Sequence, residues 1–508
     1  MVRIFPAVAA LALFPVAAFA QDKSFAEVQP EAEGTAAVAR DYVMRIERLD
    51  DGPNGLNSVV VHLSQADAHR EAARLQQTQS LLRGRTVLVK DNIETREWPT
   101  TAGSEALADN GTGRDAPLIE RLRFHGGLVL GKTNLSEWAN IRSSQSSSGW
   151  SAVGGQTRNP HATDRSPCGS SSGSGAAVAA RLSWAAIGTE TDGSITCPAA
   201  VNGIVGFTPT VGMVSRTHVV PISHSQDTAG PMAQSVADAA LLLRAIAGSD
   251  PADPATAEAD AHVTDFTAGL ADASLDGVRI GVMRNQVGDN EKVSAVFSQA
   301  LADLQQAGAV LVEIEYEPED AMGADEFTVL LYELREDLGT YLAGSPADIP
   351  VRTLDDVIAF NAVHALTELR WFGQDIFEQA AATTDKAAYR EARANSLRLA
   401  GEEGIDRLLA ENDVAFLVAP TVGPAWPIDL IGGDNYDGSI GAGSLAAIAG
   451  YPHLTVPMGG VEGLPVGLSI MGAKWADHDV LKAGAAYERA RSVELPQPSF
   501  GPWQAPEL

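Results

Sequence analysis

A run of glycine and serine lies between apolar segments in the first half of this chain, and a packed fold has to place it deliberately. It reads Ser166-Pro167-Cys168-Gly169-Ser170-Ser171-Ser172-Gly173-Ser174-Gly175. Taken alone, such a composition suits a flexible linker. Its neighbours argue otherwise: Ser174 to Trp184 is alanine-rich and helical in pattern, so the loop feeds a helix N-terminus. Free backbone N–H groups at such an end favour anions and developing negative charge. A second glycine–serine turn follows, Gly188-Thr189-Glu190-Thr191-Asp192-Gly193-Ser194-Ile195, and Ala185 to Thr189 resembles a strand leading into it. Well upstream, Arg85 to Val89 reads as a short apolar strand that delivers Lys90, followed by Asp91-Asn92.

The rest of the chain extends the alternation. Thr35 to Leu49 carries Val38, Tyr42, Ile46 and Leu49 at helical spacing. Leu56 to Leu63 reads as a strand, Ala66 to Gln77 as a helix, and Pro117 to Phe124 as a helix ending at Gly126-Gly127. Leu128-Val129-Leu130 is a buried strand, and Ser235 to Ile246 a helix closed by Gly248. Gly277 to Met283, Val293 to Gln306 and Ala309 to Ile314 are strand, helix and strand, the order that builds an α/β sheet. Phe327 to Ala343 and Ala362 to Leu399 are mainly helical, with a break around Ala382 to Asp385. Val414 to Ala419, Leu454 to Pro457 and Leu468 to Met471 are short strands, and Asp477 to Val493 is a last helix. No repeat and no long linker divides the chain.

The first twenty residues are read as a signal peptide. Arg3 precedes an apolar run from Ile4 to Phe19, and Ala18-Phe19-Ala20 offers a cleavage site after Ala20. The run is short for a span of roughly 20 residues. The expectation is residues 1–20 as signal and 21–508 as one domain, in a periplasmic or secreted protein with no membrane contact after cleavage. The net charge of −29 opposes binding to nucleic acid or anionic membranes. The two cysteines, Cys168 and Cys197, have no metal-ligand spacing with His or Cys. Export permits a disulfide between them; small buried side chains are the expected use, and the pairing stays open.

The chemistry follows from the serines and the lysine. A serine hydroxyl is a poor nucleophile near neutral pH and needs a base. None of the ten histidines lies in a distinctive serine-hydrolase context, and neither serine loop is a Gly-x-Ser-x-Gly elbow. A lysine serves as base if burial lowers its pKa toward 7 or 8. Lys90, at the end of an apolar strand, is the candidate; alternation points the side chain of Asp91 away from it.

At this point the motifs form an ordered set: Lys90-Asp91-Asn92-Ile93, Gly131-Lys132-Thr133-Asn134-Leu135-Ser136-Glu137, Gly169-Ser170-Ser171, Gly193-Ser194-Ile195, Asp227-Thr228-Ala229-Gly230-Pro231-Met232 and Gly463-Leu464-Pro465-Val466-Gly467-Leu468. The chain resembles the amidase signature family from about residue 37 to 491. The resemblance implies a single α/β domain, a large mixed, twisted sheet covered by helices on both faces. It implies Ser194 as nucleophile, Ser170 as bridging serine after a cis Gly169–Ser170 peptide, and Lys90 as base. Backbone N–H groups of Thr191, Asp192, Gly193 and Ser194 would form the oxyanion hole. Asp227 is expected to brace loop backbone, and Ser171 either to bond the catalytic loop or to cap a helix. No metal and no organic cofactor is implied.

The chain departs from the common family pattern at Thr86 (usually proline), Cys168 and Asp192 (usually glycine) and Thr196 (usually arginine). The stretch Gly188 to Pro198 is similar to that of the bacterial peptide amidase branch, whose members release ammonia from C-terminal amides of peptides. The expected partner is therefore a small-molecule or short-peptide amide. Rival expectations are a general aliphatic or aryl amidase with esterase side activity and, in another class, an exported binding protein without catalysis. An amidotransferase component working on charged transfer RNA is disfavoured by the acidic surface and by export. Phe327 to Glu378 is the expected source of part of the substrate pocket.

Overall fold

The computed structural model describes residues 34–505, so the expected signal segment lies outside the described residues. Eleven strands form one sheet. In chain order they are β1 (Val59–His62), β2 (Thr86–Lys90), β3 (Leu128–Thr133), β4 (Ala185–Glu190), β5 (Val205–Thr208), β6 (Thr228–Ala233), β7 (Arg279–Val282), β8 (Val310–Glu313), β9 (Phe416–Pro420), β10 (His453–Val461) and β11 (Leu464–Met471). Their order across the sheet is β1-β3-β2-β4-β6-β5-β10-β11-β9-β7-β8. The sheet is mixed: β2 runs parallel to both β3 and β4, and β7 parallel to β8 and β9, while β4–β6, β5–β6 and β10–β11 are antiparallel.

Helices cover both faces because neighbouring strand residues point opposite ways. In β10, the Leu454 side chain meets Gly484 in the helix Asp477–Ala490, which packs beside Val236–Ile246 and Glu291–Gln306. The next residue, Thr455, lies with Ala200 against Gly467 on the other side, where the short helices Ser172–Ala179 (α1) and Thr196–Val201 (α2) sit. The central strands β2, β3, β4 and β6 are buried along their whole length. A strand covered on both faces reads as a continuous apolar run, which is why Val87-Leu88-Val89 and Ala185-Ala186-Ile187 stand out in the sequence.

Several elements differ from the sequence reading. The helix after the glycine loop stops at Ala179 rather than Trp184, because Arg181 adopts a left-handed φ of 56°. The Arg45 guanidinium takes the carbonyls of Ala180 and Arg181 that a longer helix would use itself. The expected strands Leu454–Pro457 and Leu468–Met471 are two arms of one long hairpin, turned at Glu462 and Gly463, both at positive φ. The stretch Ala362–Leu399 takes in the end of a helix, Leu354–Val363, then Asp375–Ala382 and Lys386–Leu397, the last running on into a π-helical turn at Arg398–Asp406; the helix before the stretch runs from Asp320 to Gly344. Leu354–Val363 is announced by a capping box, Thr353 with Asp356, that the sequence reading did not use.

Candidate active site

β2 and β4 lie side by side and parallel, with Val89 opposite Ile187. Their C-terminal ends therefore bring Lys90 against Thr189. The Lys90 side chain is wholly buried. Its Nζ donates to Ser170 Oγ at 2.7 Å, to Thr189 Oγ1 at 2.8 Å and to the Thr189 carbonyl at 3.1 Å. Burial pulls the lysine pKa down from 10.5 to about 7, with the carboxylates of Asp227 and Glu190 acting in the opposite direction. Asp91 does turn away: its carboxylate pairs with buried Lys132 at 2.8 Å and accepts from Thr101.

The two serine loops meet over this lysine. The Gly169–Ser170 peptide is cis, and the Ser170 carbonyl accepts from the Ser136 N–H at 3.0 Å. A Cβ at Gly169 would collide with the Ser136 hydroxyl, so the loop can come this close only with glycine there. Ser171 bonds the second loop and provides no side-chain cap to α1. Its N–H donates to the Ser194 carbonyl at 3.0 Å, and its hydroxyl donates to the Thr189 carbonyl at 3.0 Å. Ser170 and Ser194 are both buried, at 1% and 8% exposure. The expected contact between their hydroxyls is not made as a hydrogen bond among the described residues. Hydrogen bonds of this kind commonly close only with substrate in place.

Gly193 sits at φ 77° with open space where a Cβ would stand, so conformation, not crowding, requires glycine. Beyond it, the buried Glu190 carboxylate accepts from Ile195 N at 2.6 Å and from Thr196 N at 2.9 Å, holding the start of α2. The N–H groups of Asp192, Gly193 and Ser194 meet no acceptor among the described residues. Unpaired backbone N–H groups grouped on one turn are the kind of donors that can receive developing negative charge.

Asp227 braces, as expected. Its carboxylate accepts from Thr191 Oγ1 at 2.6 Å, Ile222 N at 2.8 Å and Ser223 N at 2.9 Å. Burial raises its pKa to about 6. Asp192 accepts from Ser444 Oγ at 2.7 Å, and burial lifts it to about 6 as well. Glu326, from the helix Asp320–Gly344, bonds Gln226 at 2.8 Å and is pushed to about 8 by burial and by Asp192. That helix thus reaches the rim of the site one residue before the expected segment, Phe327 to Glu378.

Cys168 and Cys197 are joined as a disulfide, with Cα atoms 6.0 Å apart. This replaces the expectation of two small buried thiols. Sequence reasoning also missed Thr189 and Asn92. Asn92 Nδ2 donates to Thr189 Oγ1 at 3.0 Å and so steadies the hydroxyl that receives Lys90. The signal available was a threonine at the end of an otherwise apolar strand next to the lysine strand.

The Amidase family profile matches residues 37–481. The chain belongs to the amidase signature family. A solved peptide amidase, PAM, in complex with the competitive inhibitor chymostatin, superposes with a TM-score of 0.87 at 48% identity, covering 91% of this chain and 95% of that one. A "probable amidase" of Arabidopsis thaliana is 36% identical over 430 residues, covering 83% of this chain and 79% of the relative. A "putative amidase" of Schizosaccharomyces pombe is 33% identical over 442 residues, covering 80% of this chain and 74% of the relative. As a member of this family the protein is an amidase, a hydrolase of carboxamide C–N bonds.

Proposed function

We propose that the enzyme removes ammonia from C-terminal amides of short peptides, through an acyl-enzyme on Ser194. Neutral Lys90 accepts the Ser170 proton while Ser170 takes that of Ser194, whose Oγ attacks the amide carbonyl carbon. The carbonyl oxygen becomes an oxyanion facing the N–H groups of the 191–194 turn, where one well-placed donor is worth about 3 kcal/mol. Collapse of the tetrahedral adduct breaks the C–N bond. The relay returns the proton to the departing nitrogen, leaving ammonia and an ester of Ser194. Water then attacks the ester, gives its proton back along the same path, and frees the carboxylate and Ser194. These steps use side chains, backbone and water.

One observation carries this reading: a wholly buried lysine at 2.7 Å from Ser170, with its pKa drawn to about 7. A base near neutrality is what proton abstraction at working pH requires. The peptide preference rests on the likeness to the peptide amidase and on the Gly188–Pro198 stretch. A terminal amide has a small leaving group, whereas an internal bond needs room on both sides of Ser194. With the N-terminal segment read as a signal, the site of action would be periplasmic or extracellular, where peptides are met. Measuring kcat/KM for a dipeptide amide, the matching tripeptide and a simple aliphatic amide tests the preference. The dipeptide amide should be the best of the three. An aliphatic amide that is cleaved faster, or an internal bond cut equally well, refutes the peptide preference and leaves a general amidase.

A further inference from the structure

The two reacting serines come from separate loops, and their hydroxyls are not bonded to each other among the described residues. Their spacing is therefore set by whatever ties the two backbones together. One tie is the Ser171 N–H to the Ser194 carbonyl at 3.0 Å. A second is Asn202, whose Nδ2 donates to the Pro167 carbonyl at 2.9 Å and to the Pro198 carbonyl at 2.7 Å. The third is covalent. Cys168 lies two residues before Ser170, and Cys197 lies three residues after Ser194 in the first turn of α2, its N–H bonded to the Gly193 carbonyl at 2.9 Å. Their disulfide joins the residues flanking both serines.

We propose that Cys168 and Cys197 are positioning residues: their disulfide holds the Ser170 loop and the Ser194 turn in the register the relay needs. This rests on the reading of Ser170 and Ser194 as the relay. Cys168 is fixed on its own side as well, its carbonyl accepting from Ser172 Oγ at 2.6 Å at the start of α1. It packs in an apolar cluster with Ala200, Val201 and Trp426, so the bridge sits on a firm base rather than on a mobile surface loop. Apart from its bond to Ser170, Lys90 is held by β2 and by two bonds to Thr189 of β4, none of which involves the bridge. Opening the bridge should therefore disturb the distance between the serines and leave the base in place.

The two cysteines are the only ones in the chain, and Cys197 is partly exposed, so a reductant has a route and a clear stoichiometry. A water-soluble trialkylphosphine takes the disulfide and one water to two thiols and the phosphine oxide. The folded enzyme is reduced in this way, thiols are counted by maleimide labelling, and ammonia release is measured before reduction, after it, and after reoxidation. The proposal predicts a fall in kcat of between about tenfold and a hundredfold, the scale of small misplacements of reacting groups. It predicts KM within about twofold of the oxidised value, an unmoved acidic limb of the pH profile because Lys90 is untouched, and recovery on reoxidation. The double variant Cys168→Ala/Cys197→Ala, checked by circular dichroism, should match the reduced enzyme in kcat. Unchanged kcat with two free thiols counted overturns the proposal, as does a loss that appears only with unfolding. An oxidised enzyme that releases no ammonia from any amide would instead overturn the reading of the relay itself.

Discussion

Burying a lysine has a thermodynamic consequence that a denaturation experiment can read. Lys90 has a pKa of about 7 in the folded protein, against 10.5 when exposed. Between those two values the unfolded chain holds a proton that the folded one does not. Stability therefore rises with pH across this window, at about 1.4 kcal/mol per unit from this group. Below about pH 7 both states hold the proton and the contribution is flat at its most unfavourable. Lys90→Met removes the titration from both states. It also strips a donor from Ser170 and from the two oxygens of Thr189, at about 1 kcal/mol per bond, but that loss does not vary with pH in this range. The difference in stability between wild type and variant should thus move toward the wild type by about 2.5 kcal/mol from pH 6.5 to pH 9. Urea denaturation followed by tryptophan emission at several pH values measures it. If the two stability–pH curves run parallel over that interval, Lys90 titrates at its ordinary value and the argument from burial is wrong.

Other expectations follow from the same site. The acidic limb of kcat/KM should fall near pH 7 as Lys90 becomes protonated, and Lys90→Met should lose at least about a thousandfold in rate at every pH while keeping its circular dichroism spectrum. Thr189→Val removes the hydroxyl that accepts from Lys90 and from Asn92, and a loss in kcat of roughly tenfold is expected in ammonia-release kinetics; an unaltered kcat would mean the strand alone orients the lysine. Asp192→Asn removes a carboxyl whose pKa is raised to about 6, so any dependence of KM on pH between 5 and 7 that arises at the pocket rim should vanish in the variant. The backbone N–H of residue 192 is retained, so kcat should change by less than about threefold.

Much of this was legible in the chain. Lys90, Ser170 and Ser194 stand out because each lies where an apolar segment or a helix start meets a polar turn, and such junctions are where buried strands place their chemistry. Thr35–Leu49 and Pro117–Phe124 are read to the residue: the first buries its stripe of Val38, Tyr42 and Ile46, and the second opens on Pro117 at the first helical position. What escaped depends on contacts distant in sequence or on short elements. Thr196–Val201 contains a proline and only six residues, and it is held by Glu190, which no helix pattern reveals. The cysteine pairing required knowing that two loops 29 residues apart fold over one lysine. Glu326 accepts from Gln226 near the start of a helix that the sequence reading began only at Phe327, so it fell just outside the segment read as helical.

The central claim is that Ser194 carries the acyl group and Lys90 drives it. The most direct measurement is labelling with a serine-directed fluorophosphonate followed by peptide mass spectrometry. The account predicts one adduct per chain, on Ser194, absent in Ser194→Ala and formed far more slowly in Lys90→Met, with ammonia release lost in step. An adduct on another residue, or full ammonia release by Ser194→Ala, would contradict it.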